Sequence, residues 1–259
     1  MDTATIVGLV LAWGALIGSV LLEGGQLKSF ISIPAAVLVF GGTIGAGMIS
    51  FKMNSVTGIP GIIRNAFMGK AQDPGAVIKL MVGFAEKARR EGLLILEDDV
   101  KQLNDEFLQR GIQLAIDGTD PELVREILGT EIQFLESRHK VGAQLFATFG
   151  GFAPTLGIIG TVMGLVHMLA NLSNPGSMGP AIASAFIATL YGVSSANLIF
   201  LPISNKLKTR NEEEVVIREM MVEGIMAIQA GDNPRIVEEK LRAFLAPKIR
   251  KALAEVTGK

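Results

Sequence analysis

Charge is spread unevenly along this chain of 259 residues. Thr3 to Leu22 carries none, Phe30 to Phe51 carries none, and no Asp, Glu, Lys or Arg stands between Lys140 and Lys206. A helix needs roughly 20 mostly apolar residues to cross a bilayer. The third interval therefore holds two crossings, separated by the polar stretch "NLSNPGSMGP" (Asn171 to Pro180). The pattern predicts spans over 1–22, 33–51, 147–170 and 181–203, with short turns at 23–32 and 171–180.

The remaining segments, 52–146 and 204–259, keep a helical period. Val77, Leu80, Met81, Phe84 and Ala88 fall on one face. Asp73 before Pro74 reads as an N-cap with proline at the first helical position, and Asp120 before Pro121 repeats the signal. From Pro121 an apolar pattern (Leu123, Ile127, Ile132, Leu135) runs on into the third span. The fourth span continues as "KLKTRNEEEVVIREMM", and "DNPRIVEEKLRAFL" gives one more capped helix. No strand alternation is visible. The expected class is an all-α integral membrane protein: four transmembrane helices with a compact helical cytoplasmic domain.

Basic residues give the orientation. Lys28 is the sole one in the first turn, whereas Lys52 to Lys140 holds twelve and Lys206 to Lys259 holds eleven. By the positive-inside rule the long loop and both termini are cytoplasmic, and the turns at 23–32 and 171–180 face outward. Hydrophobic residues make up 49% of the chain, in keeping with a membrane protein. A net charge of −1 and the lack of a basic, aromatic-laced patch argue against nucleic-acid binding. With no cysteine there is no thiolate metal site. No nucleophile–base pair or metal-ligand cluster is visible, and "GIIGTVMG" lacks the Lys-Ser/Thr of a phosphate loop. An enzyme is not expected.

The stretch "APTLGIIGTVMGL" (Ala153 to Leu165) combines proline, threonines and glycines without charge. Pro154, Gly157, Thr161 and Gly164 share a helical face, and Pro154 withdraws a donor from the Gly150 carbonyl. The fourth span answers with Ala181, Ala185, Thr189, Gly192 and Ala196. Thr155 lies about 100° round from Pro154, free to face another neighbour. Two readings compete: small faces that let helices pack closely, or a narrow polar path for a cation. Ion paths normally contain an ionisable group. These spans have no carboxylate or amine, and His167 stands near the outer end of its span. Either no ion moves here, or another chain donates the acid.

"APTLGIIGTVMGLVHMLANL", "GPAIASAFIATLYGVSSANLIFLPISNKLK" and "ARREGLLILE" together resemble the MotA/PomA family of bacterial flagellar stator subunits, as do "LEGG" and "GDNPR". The resemblance covers essentially the whole chain. It implies a bacterial inner-membrane protein forming a homopentameric ring around a single-span partner of the MotB/PomB type, whose aspartate completes the channel. It further implies contact with the rotor protein FliG. The family's coupling prolines match Pro154 and Pro202, with Pro154 also on the ion pathway. Its pathway threonines match Thr155, Thr161 and Thr189, and its rotor-facing charges match Arg89 and Glu97, with Arg90 beside them; these charges are expected on one cytoplasmic helix.

No cofactor and no permanently bound metal are expected; the cation, Na+ or H+, is cargo. Sodium-type members resemble this chain in carrying a hydroxyl at Thr161, and hydroxyl and carbonyl oxygens suit a hard cation. Ala188 before Thr189 removes one ligand the family often has. Sodium is favoured over the proton. The rival readings are an ExbB/TolQ-type energiser, against which the extra pair of early spans argues, and a non-conducting membrane scaffold.

Overall fold

The computed structural model describes residues 3–68, 72–173, 175–247 and 250. The expected start of the first span (1–2) and end of the tail (251–259) lie outside the described residues, as do 69–71, 174, 248 and 249. Helices dominate, and no strand occurs among the described residues. Those long and apolar enough to cross a membrane are Thr3–Leu22, Ile33–Ser50, Pro121–Ala170 and Met178–Gln229, here spans one to four. Helix resumes after the third span already at Pro175, inside the stretch assigned to a turn, with Pro180 within the helix.

The chain divides into two compact units. One comprises the described parts of 1–69 and 139–209, the other those of 70–138 and from 210 onward.

In the first unit, span one has no buried residue. Spans two, three and four pack together, and one layer joins them. Val39, Ala153 and Ala196 form a cluster with exposures of 0%, 0% and 1%. Each of the three marks an irregularity. Val39 lies in a π-helical turn, Val37–Gly41. Ala196 opens another, Ala196–Phe200. Ala153 directly precedes Pro154, which sits inside an otherwise continuous helix. A proline ring clashes with the carbonyl four residues back, and wide π turns occur mostly as single insertions at functional places. Pro202 follows the second π turn.

Residues 53–68, which follow span two, pack within this same unit. Helices Met53–Thr57 and Ile59–Met68 belong to the first unit. Their Val56, Ile59, Ile62 and Phe67 cover Leu145, Phe146, Phe149 and Ile203 of spans three and four.

The second unit wraps helices around a core in which Met81, Leu108, Ile112, Leu128, Ile225 and Leu241 are almost wholly shielded. Its helices start where capping predicts. Asp73 accepts from the Gly75 N–H at 3.0 Å, and Asp120 from the Glu122 N–H at 2.9 Å. Asn233 caps Pro234–Arg242. Where Pro121–Ala170 enters this core, Val124, Leu128 and Ile132 are buried; of the expected pattern Ile132 is among them, Ile127 and Leu135 are half-buried, and Leu123 is 48% exposed. Adjacent apolar positions let either set satisfy the period.

Candidate functional site

Spans three and four approach so closely that glycine is required between them. A Cβ on Gly157 would lie 2.8 Å from the Ala188 carbonyl oxygen, and one on Gly164 2.6 Å from the Ala185 Cβ. A Cβ on Gly192 would collide with the Ala153 carbonyl. The small-residue faces read from the sequence do meet. Close packing of this kind is how membrane helices associate without a hydrophobic drive between them.

That approach brings two of the candidate threonines together. The Thr161 and Thr189 hydroxyls are in direct hydrogen-bond contact. Thr161 Oγ1 also lies 3.2 Å from the Gly157 carbonyl and 3.1 Å from the Ala185 carbonyl, and Thr189 Oγ1 lies 3.3 Å from the Gly157 carbonyl. Four oxygens from two helices thus converge, with two hydroxyl protons among them. All are neutral. Such a group can replace part of a hard cation's hydration or order a water, but threonine cannot ionise to carry a proton near neutral pH.

The other residues of the expected path stand apart from this pair. Thr155 is exposed on the single chain and donates to the Phe152 carbonyl at 2.7 Å, within its own helix. Pro154 is half-buried beside the Val39–Ala153–Ala196 layer, and Pro202 is exposed. His167 is exposed near the end of span three. No group of His, Cys, Asp or Glu able to hold a metal occurs among the described residues.

Sequence reasoning missed Tyr191. It donates to the Phe30 carbonyl at 2.6 Å and accepts from the Ser32 N–H at 3.2 Å. The available signal was chemical: a phenol hydroxyl in an apolar span needs a partner.

In the second unit, Arg89 and Arg90 end the helix Pro74–Glu91, whereas Glu97 begins Glu97–Lys101. They were expected on one helix. Gly92, at φ +87°, stops the first helix, and its N–H bonds the Ala88 carbonyl. A left-handed turn of this kind favours glycine. Arg89, Arg90 and Glu97 are all exposed. Glu97 bonds Lys101 at 2.9 Å and holds that ammonium above the ordinary lysine value. Arg89 and Arg90 have no ion-pair partner among the described residues. Between the two charge groups Leu94, 72% exposed, faces outward while Leu96 is buried.

Residues 99–220 match the MotA/TolQ/ExbB proton channel family, and residues 6–92 match the motility protein A N-terminal family. The chain is 39% identical to motility protein A of Borreliella burgdorferi over 100% of this chain and 99% of that one. It is 38% identical to the chemotaxis protein PomA of Vibrio alginolyticus over 95% and 96% of the two chains. Its fold is similar to a chain of the flagellar MotAB stator complex from Bacillus subtilis. The TM-score is 0.91 at 35% identity, covering 98% of this chain and 100% of that one.

Proposed function

The chain belongs to the motility protein A branch of the MotA/TolQ/ExbB proton channel family, and from that premise we propose how its residues divide the work. It is a flagellar stator subunit of the inner membrane, not an enzyme, that works with a MotB-type partner in an oligomer.

In the proposed mechanism the spans supply half of a conduit. The Thr161–Thr189 pair offers neutral oxygens to a passing cation, and the acid comes from the partner's single span. The observation that carries this is the pairing of two hydroxyls inside spans that contain no Asp, Glu, Lys or Arg between Lys140 and Lys206. A partly buried group of neutral oxygens leaves a cation's charge uncompensated; a carboxylate beside it makes the site complete. Thr155, exposed on the same span, is assigned to the side that faces the partner, and the bent layer at Pro154 and Pro202 to coupling. The favoured cation is sodium, because ligation by four oxygens has a use for a metal cation that a proton relay lacks.

The ring is homopentameric, with the termini and the second unit in the cytoplasm, where Arg89, Arg90 and Glu97 meet FliG. Exposed charges of both signs steer and orient a partner more than they tighten it. The full-length match to motility proteins and the early pair of spans favour this reading over an ExbB/TolQ-type energiser.

The test is motility of a stator-null strain carrying this chain and its partner, with and without sodium at a fixed proton gradient. Swimming that requires sodium is expected. Equal swimming in both media would overturn the choice of cation.

A further inference from the structure

Tyrosine occurs once in this chain, in a part of the membrane unit that the ion-path reading leaves unused. The two backbone groups that Tyr191 engages, the Phe30 carbonyl at the end of the helical turn Leu27–Phe30 and the Ser32 N–H, flank a short extended stretch before span two. Ile31 has φ −98°, ψ 112°, and Ser32 has φ −132°, ψ 109°. Extended backbone has no internal partner, and away from water each unpaired group costs on the order of several kcal/mol. One phenol answers both groups. Ser32 is 9% exposed, and its Oγ lies 2.8 Å from Ser184 Oγ on span four. The Phe40 ring, also on span two, lies 6.0 Å from the Tyr191 ring. Three hydrogen bonds and a ring contact therefore bind span two and the residues just before it to span four.

Thr189 and Tyr191 are two residues apart, about 200° round the helix. Thr189 reaches span three through the Gly157 carbonyl, and Tyr191 reaches the start of span two. Span four is thus gripped on opposite sides. A turn of about 20° about its axis would move an atom about 5 Å from that axis by nearly 2 Å, more than a hydrogen bond tolerates.

We infer that Tyr191 is a positioning residue for the ion path: its hydroxyl fixes the rotation of span four, and with it the place of Thr189 Oγ1 beside Thr161. The inference rests on the ion-path reading of that pair. If Tyr191 served only to hold the fold together, its loss would change the amount of protein and not the way the surviving protein meets its cation.

The experiment uses the chain with its partner in a stator-null strain. Swimming speed is followed against sodium at fixed pH and against pH at fixed sodium. The half-saturating level is read for whichever cation the unaltered protein follows. Tyr191→Phe removes only the hydroxyl. It is expected to raise the half-saturating concentration about three- to tenfold, the factor that one net hydrogen bond represents. An unchanged half-saturating concentration, with or without reduced speed, overturns the inference. Ser184→Ala removes the brace alone and is expected to shift the value in the same direction. It keeps the test available should Tyr191→Phe fail to accumulate, and no shift there overturns the inference equally. Ser32→Cys with Ser184→Cys, oxidised in the Tyr191→Phe background, is expected to restore the original value. A value that stays raised, or a motor stopped by the same cross-link in the Tyr191 background, would contradict it. Failure of the unaltered chain to drive swimming would instead sink the stator reading, so the two failures are distinct.

Discussion

The Thr161 and Thr189 hydroxyls touch across spans three and four, each also within reach of the Gly157 carbonyl. Because Thr161 keeps the Gly157 and Ala185 carbonyls as acceptors, Thr189→Val leaves no proton stranded. The cost to folding is about 1 kcal/mol. Thr189→Val is expected to assemble with the partner and to abolish swimming, while Thr189→Ser retains it. Full swimming of the valine variant would remove Thr189 from the path.

Gly192 against the Ala153 carbonyl makes the opposite prediction, one about packing. The obstructing atom is backbone, so a methyl group cannot be accommodated by a rotamer change. Gly192→Ala is expected to cost about 1–3 kcal/mol or more and to lower the thermal transition of the detergent-solubilised complex. Gly83, within the helix Pro74–Glu91, has open space where a Cβ would stand, with nothing within 4 Å. Gly83→Ala is expected to stabilise by about 0.5–1 kcal/mol. Equal effects of the two substitutions would contradict the close approach of the spans.

Arg89 is exposed and unpaired among the described residues. Its reversal should leave stability within about 0.5 kcal/mol. Arg89→Glu is expected to impair swimming while the growth effect of cation leak through the overproduced complex persists. Loss of both would point to misfolding and away from a role at the rotor.

Lys240 bonds Asp232 at 2.9 Å with Glu223 nearby. These partners, the Asp232 hydrogen bond foremost, hold its ammonium above the ordinary lysine value of 10.5. A raised value in the folded state means that the contribution is complete below the unfolded value and fades as pH rises through the folded one. The stability difference between the full chain and Lys240→Met should therefore be constant at neutral pH and shrink only in alkali beyond 10.5. A difference that changes between mild acid and neutrality would contradict the assignment.

Local rules were legible in the sequence where a single stretch decides the outcome. Charge-free runs marked the spans, and Asp73 and Asp120 marked helix starts through contacts only two residues away. Periodicity was weaker: it could not separate the Leu123 stripe from the Val124 stripe. It also carried one helix across Gly92, where a positive φ ends it. Contacts between distant residues were not legible. Tyr191 and Phe30 are 161 positions apart, and no pattern near either announces the other. The packing of 53–68 on spans three and four was hidden for the same reason. The Thr161–Thr189 pair lies between these cases, since the small-residue faces indicated that the spans meet but not which hydroxyls touch.

The central claim is that this chain holds half of a cation path and needs a second polypeptide's acid to complete it. The most direct measurement is swimming of a stator-null strain that carries this chain alone, with its single-span partner, or with that partner's span acid changed to the amide. Swimming only with the intact partner is the predicted result. Swimming restored by this chain alone, or by the pair lacking the acid, would contradict it.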